Sequence, residues 1–344
     1  MGPEASPAPK RIPLRAVDPE REDRDLRERF AHRAARHRVP LVISLCSEWR
    51  PDVLVCDEMD FGAVIAAERM ELPFATVLVS AAGSFVRSEV VGEALNEVRA
   101  QHDLPPDPQL EMLNRYLVLS PCPLSYRDPG HPLPPTGHSF RPSLPGSVPG
   151  SLSGSAGVRA PDWSSLVPGE ATVYFTLGTI FNMESGDLFE RVIVGLRDLP
   201  INLIVTVGRH IDPSEFGPQP SNVQIERHIP QSLVLPHCDL VVSHGGSGSV
   251  IGALAGGLPS LLIPMGADQP QNAERCSQLG VARVLDVAVT PETVRVAAAE
   301  MLDDPAYRRN AERLRDEIAA LPEPAHTVRL LERLASDKRP LYSA

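Results

Sequence analysis

Leu240-Val241-Val242-Ser243-His244-Gly245-Gly246-Ser247-Gly248-Ser249-Val250-Ile251-Gly252-Ala253-Leu254-Ala255 decides how this chain is read. A short apolar strand runs into a turn of glycines and serines, and an apolar helix follows. Glycines let the backbone approach a ligand closely. The first N–H groups of a helix carry partial positive charge. That combination suits a diphosphate. The spacing is neither the dinucleotide fingerprint nor a P-loop, because no Gly-Lys-Ser/Thr follows. Read alone, the stretch is equally a tight strand–helix turn closed by a capping serine.

On both sides of it the pattern alternates. Strands are expected at Thr172–Leu177, Leu203–Val207, Val223–Ile225, Leu240–Ser243, Ser260–Ile263 and Arg283–Leu285. Helices are expected at Leu188–Leu196, Ser247–Ala255 and Gln269–Leu279, then around Glu292–Leu302, Pro305–Ala320 and Ala325–Ser336. Short strands alternating with helices imply a doubly wound parallel sheet, an α/β fold. Before it, Val53–Cys56, Phe61–Met70 and Pro73–Val79 read as β-α-β with both strands buried, and Arg87–Gln101 as a further helix. Val39–Leu45 fits either a strand or a buried helix. From Arg21 to Arg38 a thin stripe (Leu26, Phe30, Ala34) suggests a solvated helix. Residues 1–20, Pro-rich and charged, are expected to be poorly ordered.

Proline is abundant, 36 of 344 residues, about twice ordinary usage, and the excess locates a linker. No apolar period survives between Pro105 and Pro168. The domain reading is therefore 1–135 as a partial N-terminal domain on the acceptor side and 136–163 as a Pro/Gly/Ser-rich linker. Residues 164–321 form the C-terminal donor domain, and 322–344 a helix packing back toward the N-terminal domain.

Lys plus Arg is 33 and Asp plus Glu is 44, a net charge of −11, with no basic patch to track a phosphate backbone. No nucleic-acid partner is expected. The longest apolar runs, Leu72–Ala82 and Leu258–Ala267, are too short or broken to span a bilayer, which takes roughly 20 residues. The first 38 residues hold no apolar signal-peptide core. Five scattered cysteines with no CxxC read as buried thiols in a reducing, cytoplasmic setting.

Two further stretches carry chemistry. Pro264-Met265-Gly266-Ala267-Asp268-Gln269-Pro270-Gln271-Asn272-Ala273 lies past the carboxyl end of a strand, where open α/β sheets bind ligands. Asp268 and Gln269 suit sugar hydroxyls, and Asp268 equally suits a helix N-cap. Arg227-His228-Ile229-Pro230-Gln231 ends another strand and reads by itself as a Pro-initiated helix start.

Together these three blocks resemble the donor-site signature of inverting, nucleotide-sugar-dependent glycosyltransferases of the GT-B fold, in the bacterial macrolide- and antibiotic-glycosylating branch. Thr176-Leu177-Gly178-Thr179 is similar to that branch's first C-terminal strand and loop, and Pro161-Asp162-Trp163 to its domain-entry segment. The resemblance implies two Rossmann-like domains, a nucleotide-diphosphate sugar (UDP or dTDP) as donor substrate, a small hydroxylated acceptor, and neither metal nor cofactor. It implies that His244 steadies the leaving diphosphate, aided by Gly245, Gly246, the Gly248 N–H and Ser249. Gly178 and Thr179 would close the cradle, and Asp268 and Gln269 would hold the sugar. The Ile229 backbone would read the base, with His228 stacked on it and Gln231 beside it. Fixed donors aimed at developing negative charge replace a metal.

Two departures stand out. Plant relatives place an acidic residue eight positions after the motif histidine, where this chain has Gly252, so the nucleotide is not named from it. The family's chains also open with a βαβ unit whose Gly-His loop carries the general base, and no matching segment occurs here. The expectation is a sheet lacking roughly 60 residues, with an apolar edge exposed and sugar transfer very weak. Asp57 matches the carboxylate that orients the base. Three functions follow: an inverting hexosyltransferase; a degenerate, non-catalytic nucleotide-sugar-binding or auxiliary protein; and a sugar-nucleotide epimerase. A homodimer or an auxiliary partner is left open.

Overall fold

A computed structural model describes residues 11–143, 163 and 166–343. The chain divides into two compact units: Met1–Val17 with Ser143–Asp316, and Asp18–Pro142 with Glu317–Ala344.

In the second unit, α1 (Pro19–Asp25) leads through a π-helical run, Leu26–Ala34, into α2 (Ala35–Trp49). Then come β1 (Leu54–Asp57), α3 (Phe61–Arg69), β2 (Phe74–Val77), α4 (Ser88–Ala100), β3 (Leu117–Ser120) and β4 (Gly137–Ser139). All pairs are parallel, in the order β1-β2-β3-β4. One core holds Leu26, Val39, Phe61, Ile65, Val91 and Leu95. The other face of the sheet, at Ala75, Leu117 and Leu119, is covered by Leu330 and Leu334 of the C-terminal helix.

One open alternative is resolved here and two expectations are corrected. Val39–Leu45 is helical. The helix before it is not merely solvated, and its buried stripe is Leu26, Ala31, Ala35 and Val39, while Phe30 stays 41% exposed. The π-helical turn is wider than an α-turn, so the five-residue step from Leu26 to Ala31 stays on one face. β3 and β4 lie where no strand was expected. Leu117–Leu119 is too short a run for periodicity to register, yet all three side chains are buried. Gly137–Ser139 falls inside the expected 136–163 linker. Of that linker, residues 144–162 lie outside the described residues, and so do Pro161 and Asp162 of the domain-entry segment. Among the described residues β1 has a partner on one side only, and Val55 on it is 47% exposed.

The first unit contains β5 (Ala171–Thr176), α5 (Leu188–Leu196), β6 (Ile201–Thr206), β7 (Val223–Glu226), α6 (Gln231–Val234), β8 (Leu240–Ser243), α7 (Ser247–Ala255), β9 (Ser260–Leu262), α8 (Gln269–Gln278), β10 (Ala282–Val284) and α9 (Pro291–Asp303). Its parallel sheet runs β10-β9-β8-β5-β6-β7. Successive β5 side chains point to opposite faces. Val173 and Phe175 join Leu188, Val192 and Ala297 on one side, and Tyr174 joins Val234 and Ala253 on the other. Helices therefore cover both faces, as the doubly wound reading required. Two more helices, α10 (Pro305–Ala320) and α11 (Pro324–Asp337), end the chain.

Residues 11–17, expected to be poorly ordered, lie along this first unit. The Ile12 N–H donates to Met183 O (2.7 Å), and the Gly186 N–H donates back to Ile12 O (3.0 Å). Arg11 pairs with Glu190 and sits over the Phe216 ring. Backbone pairing and one ion pair order a segment whose composition alone suggested none.

Candidate functional site

The order β10-β9-β8-β5-β6-β7 contains a reversal. The chain builds β5, β6 and β7 in one direction, then returns to place β8 on the other side of β5. Loops leaving β5 and β8 part there and open a crevice at the strands' carboxyl ends. Thr176 and Ser243, the last residues of the two strands, are paired in register. His244, the first residue past β8, and Gly178, the second past β5, face each other.

They touch. Gly178 has φ +71°, and a Cβ placed on it would lie 2.7 Å from the His244 ring. A Cβ on Gly246 would lie 2.6 Å from His244 Nε2. The imidazole is held between two glycine backbones, with the Phe181 ring 6.3 Å away. It is buried, and its Nδ1 has no hydrogen-bond partner. Burial disfavours the charged ring and pulls its pKa down to about 4. A neutral imidazole has one N–H to donate and one nitrogen to accept, so this buried ring at a switch-point crevice can give a ligand one directed hydrogen bond.

Gly245 (φ +83°) turns the chain, and Gly246 occupies the N-cap of α7 without any side-chain cap. The capping-serine reading is thus not what the turn adopts. Ser249 is buried, while Gly248 and Thr179 are exposed. Asp268 occupies the N-cap position of α8, but its carboxylate does not cap the backbone. Oδ2 accepts instead from Ser247 Oγ (2.6 Å) and Asn272 Nδ2 (2.8 Å). Burial raises the Asp268 pKa, opposed by those two donors.

Gln269 is placed differently from the expectation that it faces a sugar. It is 1% exposed, and its Oε1 accepts from Met265 N (2.8 Å) and Gly266 N (3.3 Å). It braces a turn in which Ala267 takes φ +53°.

His228 is exposed past the end of β7, its pKa lowered by partial burial and then by Arg209. Ile229 is buried, and Pro230 caps α6 as a Pro-initiated start. Gln231 reaches toward α7, and a Cβ on Gly252 would meet its Oε1 at 2.7 Å. Asp57 is in the other unit, exposed at the end of β1, with Oδ1 accepting from Met59 N (2.7 Å).

Gly178, His244, Gly246, Ser247 and Asp268 are thus drawn together, with Asn272 behind them. Asn272 and Ser247 stood inside the quoted motifs and were not singled out. Nothing in a linear motif says which of its polar side chains points inward. Among the described residues no group of three His, Cys, Asp or Glu is placed to hold a metal ion, and no helix is long and apolar enough to cross a membrane. All five cysteines are buried, and none of them forms a disulfide.

Residues 190–334 match the model of the erythromycin biosynthesis protein CIII-like C-terminal domain. The chain is 28% identical over 328 residues to a 10-deoxymethynolide desosaminyltransferase of Streptomyces venezuelae, covering 87% of this chain and 71% of that protein. It is likewise 28% identical over 318 residues to a 3-alpha-mycarosylerythronolide B desosaminyl transferase of Saccharopolyspora erythraea, covering 87% and 72%. The spinosyn rhamnosyltransferase SpnG superposes with a TM-score of 0.75 at 25% identity, over 91% of this chain and 80% of that one. Its complex with thymidine diphosphate superposes at 0.74 and 26% identity, over 91% and 82%. The crevice, the buried histidine and these likenesses agree: the chain has the GT-B fold, residues 190–334 resemble the erythromycin biosynthesis protein CIII-like C-terminal domain, and the relatives it is similar to glycosylate macrolides.

Proposed function

We propose that this protein transfers a hexose, with inversion, from a thymidine- or uridine-diphosphate sugar to a hydroxyl of a small natural-product acceptor. The observation that carries the reading is His244, buried and neutral between Gly178 and Gly246 at the β5/β8 switch point. The acceptor oxygen attacks the anomeric carbon from one side. The bond to the diphosphate breaks on the other, and the diphosphate leaves with the electron pair. His244 and the N–H groups at the start of α7 meet the charge that develops, and the loop at Gly178 and Thr179 closes over it. Asp268 accepts hydrogen bonds from the sugar. Gln269 acts one step back, by shaping the 265–267 turn. Ile229 and His228 face the base, and Gln231 lies beside them. The acceptor hydroxyl's proton passes to solvent, with no side chain assigned as the general base, so turnover is expected to be slow.

The thymidine diphosphate in the SpnG complex supports the choice of nucleotide, and the macrolide relatives support the choice of acceptor. Calorimetry in EDTA is the test. Thymidine or uridine diphosphate is expected to bind as well without magnesium as with it. Binding that needs magnesium would end the metal-free reading.

His244→Ala is expected to weaken nucleoside-diphosphate binding while leaving nucleoside binding nearly unchanged. A hydrogen bond to a charged group contributes about 1.5–3 kcal/mol, roughly a 10- to 150-fold change in Kd. Equal losses for both ligands would make the histidine a packing residue only.

A further inference from the structure

We propose that Asn272 is a positioning residue, whose buried side-chain amide ties the diphosphate loop to the sugar loop and fixes the Asp268 carboxylate for the sugar. The inference rests on the donor-site reading above and assigns a role to a residue outside that site.

Asn272 lies in the first turn of α8 and is fully buried. Its Nδ2 is 3.1 Å from Gly245 O, 3.1 Å from Ser247 Oγ and 2.8 Å from Asp268 Oδ2. One amide group thus reaches the backbone of the diphosphate loop, the first residue of α7 and the carboxylate of the sugar loop. An –NH2 group has two hydrogens, so the three acceptors hold it in place together. The Ser247 hydroxyl donates to the same Oδ2, at 2.6 Å. Two donors on one oxygen stop the carboxylate from rotating.

The arrangement also opposes the effect of burial on Asp268 and favours its charged form. Burial drives its pKa up, and the Ser247 and Asn272 donors pull it down. The groups that act on it are these two side chains and the backbone of Asp268 and Ser247, with no charged side chain among them. His244, the titratable group on the facing loop, is neutral above about 4. With Oδ2 held by these two donors, an ionised Asp268 keeps Oδ1 as an acceptor for a sugar hydroxyl, and a protonated one loses part of that capacity. Sugar recognition therefore has an acid limb, and Asn272 sets where it falls.

The test compares thymidine diphosphate with a thymidine-diphosphate hexose by calorimetry, from roughly pH 4 to pH 8. The ratio of the two Kd values isolates the sugar's contribution. In Asn272→Ala, diphosphate affinity is expected to fall several-fold, equally at every pH. The acid limb of the sugar's contribution is expected to move up by about one pH unit. Should Asn272→Ala not fold, Ser247→Ala removes the other donor to Oδ2 from a half-buried position and moves the limb the same way. A parallel loss for both ligands with the limb unmoved would overturn the inference, leaving Asn272 a brace. Wild-type protein that binds neither ligand would overturn the donor-site reading and this inference with it.

Discussion

Gly178→Val is expected to abolish nucleoside-diphosphate binding, by more than about 100-fold. Two costs act together. The residue holds φ +71°, a left-handed conformation that costs a β-branched residue roughly 1–2 kcal/mol or more. The new Cβ would also stand 2.7 Å from the His244 ring. A flexible side chain at the surface would swing aside. This ring is enclosed, with the Gly246 backbone on its other side, so either the β5 loop or the imidazole must leave. Gly178→Ala meets the same clash with a smaller group and should lose less.

His244 also reports on the outcome through its titration. Its folded pKa of about 4 lies below its ordinary 6.5, so the unfolded chain takes up the proton first. The stability that comes from keeping the ring neutral is complete above about pH 6.5. It is lost as pH falls toward 4, by roughly 3 kcal/mol. If Gly178→Val pushes the ring into water, its pKa climbs toward 6.5 and that acid sensitivity shrinks. Unchanged Kd and an unchanged histidine titration by NMR would show that the loop, not the ring, adapts.

Arg99→Met is expected to destabilise the unit built on β1–β4 by about 3–5 kcal/mol. The Arg99 side chain is 1% exposed and pairs through both terminal nitrogens with Glu68, itself 8% exposed. Its Nε and Nη2 also donate to Pro105 O (3.1 and 2.9 Å). Arg115 reaches the same glutamate at 2.9 Å. Removing Arg99 leaves a buried carboxylate and a buried carbonyl with fewer donors, and methionine supplies none. Glu68→Gln keeps the shape and removes the charge, leaving two guanidinium groups to share one amide oxygen. It should cost less than Arg99→Met. Urea unfolding followed by far-UV circular dichroism measures both. A loss below about 1 kcal/mol for Arg99→Met would mean that water replaces the guanidinium.

The C-terminal α/β unit was legible in the sequence. Leu188–Leu196, Leu240–Ser243, Ser247–Ala255 and Pro305–Ala320 form with the bounds their periodicity and breakers predicted. Those elements are long or clearly bounded; the helices bury one face and the strand Leu240–Ser243 buries both, so local pattern and tertiary packing ask for the same residues. The glycines at 178, 245 and 246 were legible for the same reason: positive φ or close approach permits little else. Tertiary structure alone decided the rest. β3 became a strand because β2 and β4 supply its hydrogen bonds and α11 covers one of its faces. The segment at 11–17 became ordered because Met183, Gly186 and Glu190 give its backbone and its arginine partners some 170 residues away in sequence. Within the site, Gln269 turned inward and Asn272 became the tie between two loops, because hydrogen-bond partners for buried amides are supplied by whatever the fold brings near. A motif gives the order of polar side chains along the chain. Which of them meets a ligand and which meets the protein is settled when the loops at the ends of β8 and β9 are set side by side.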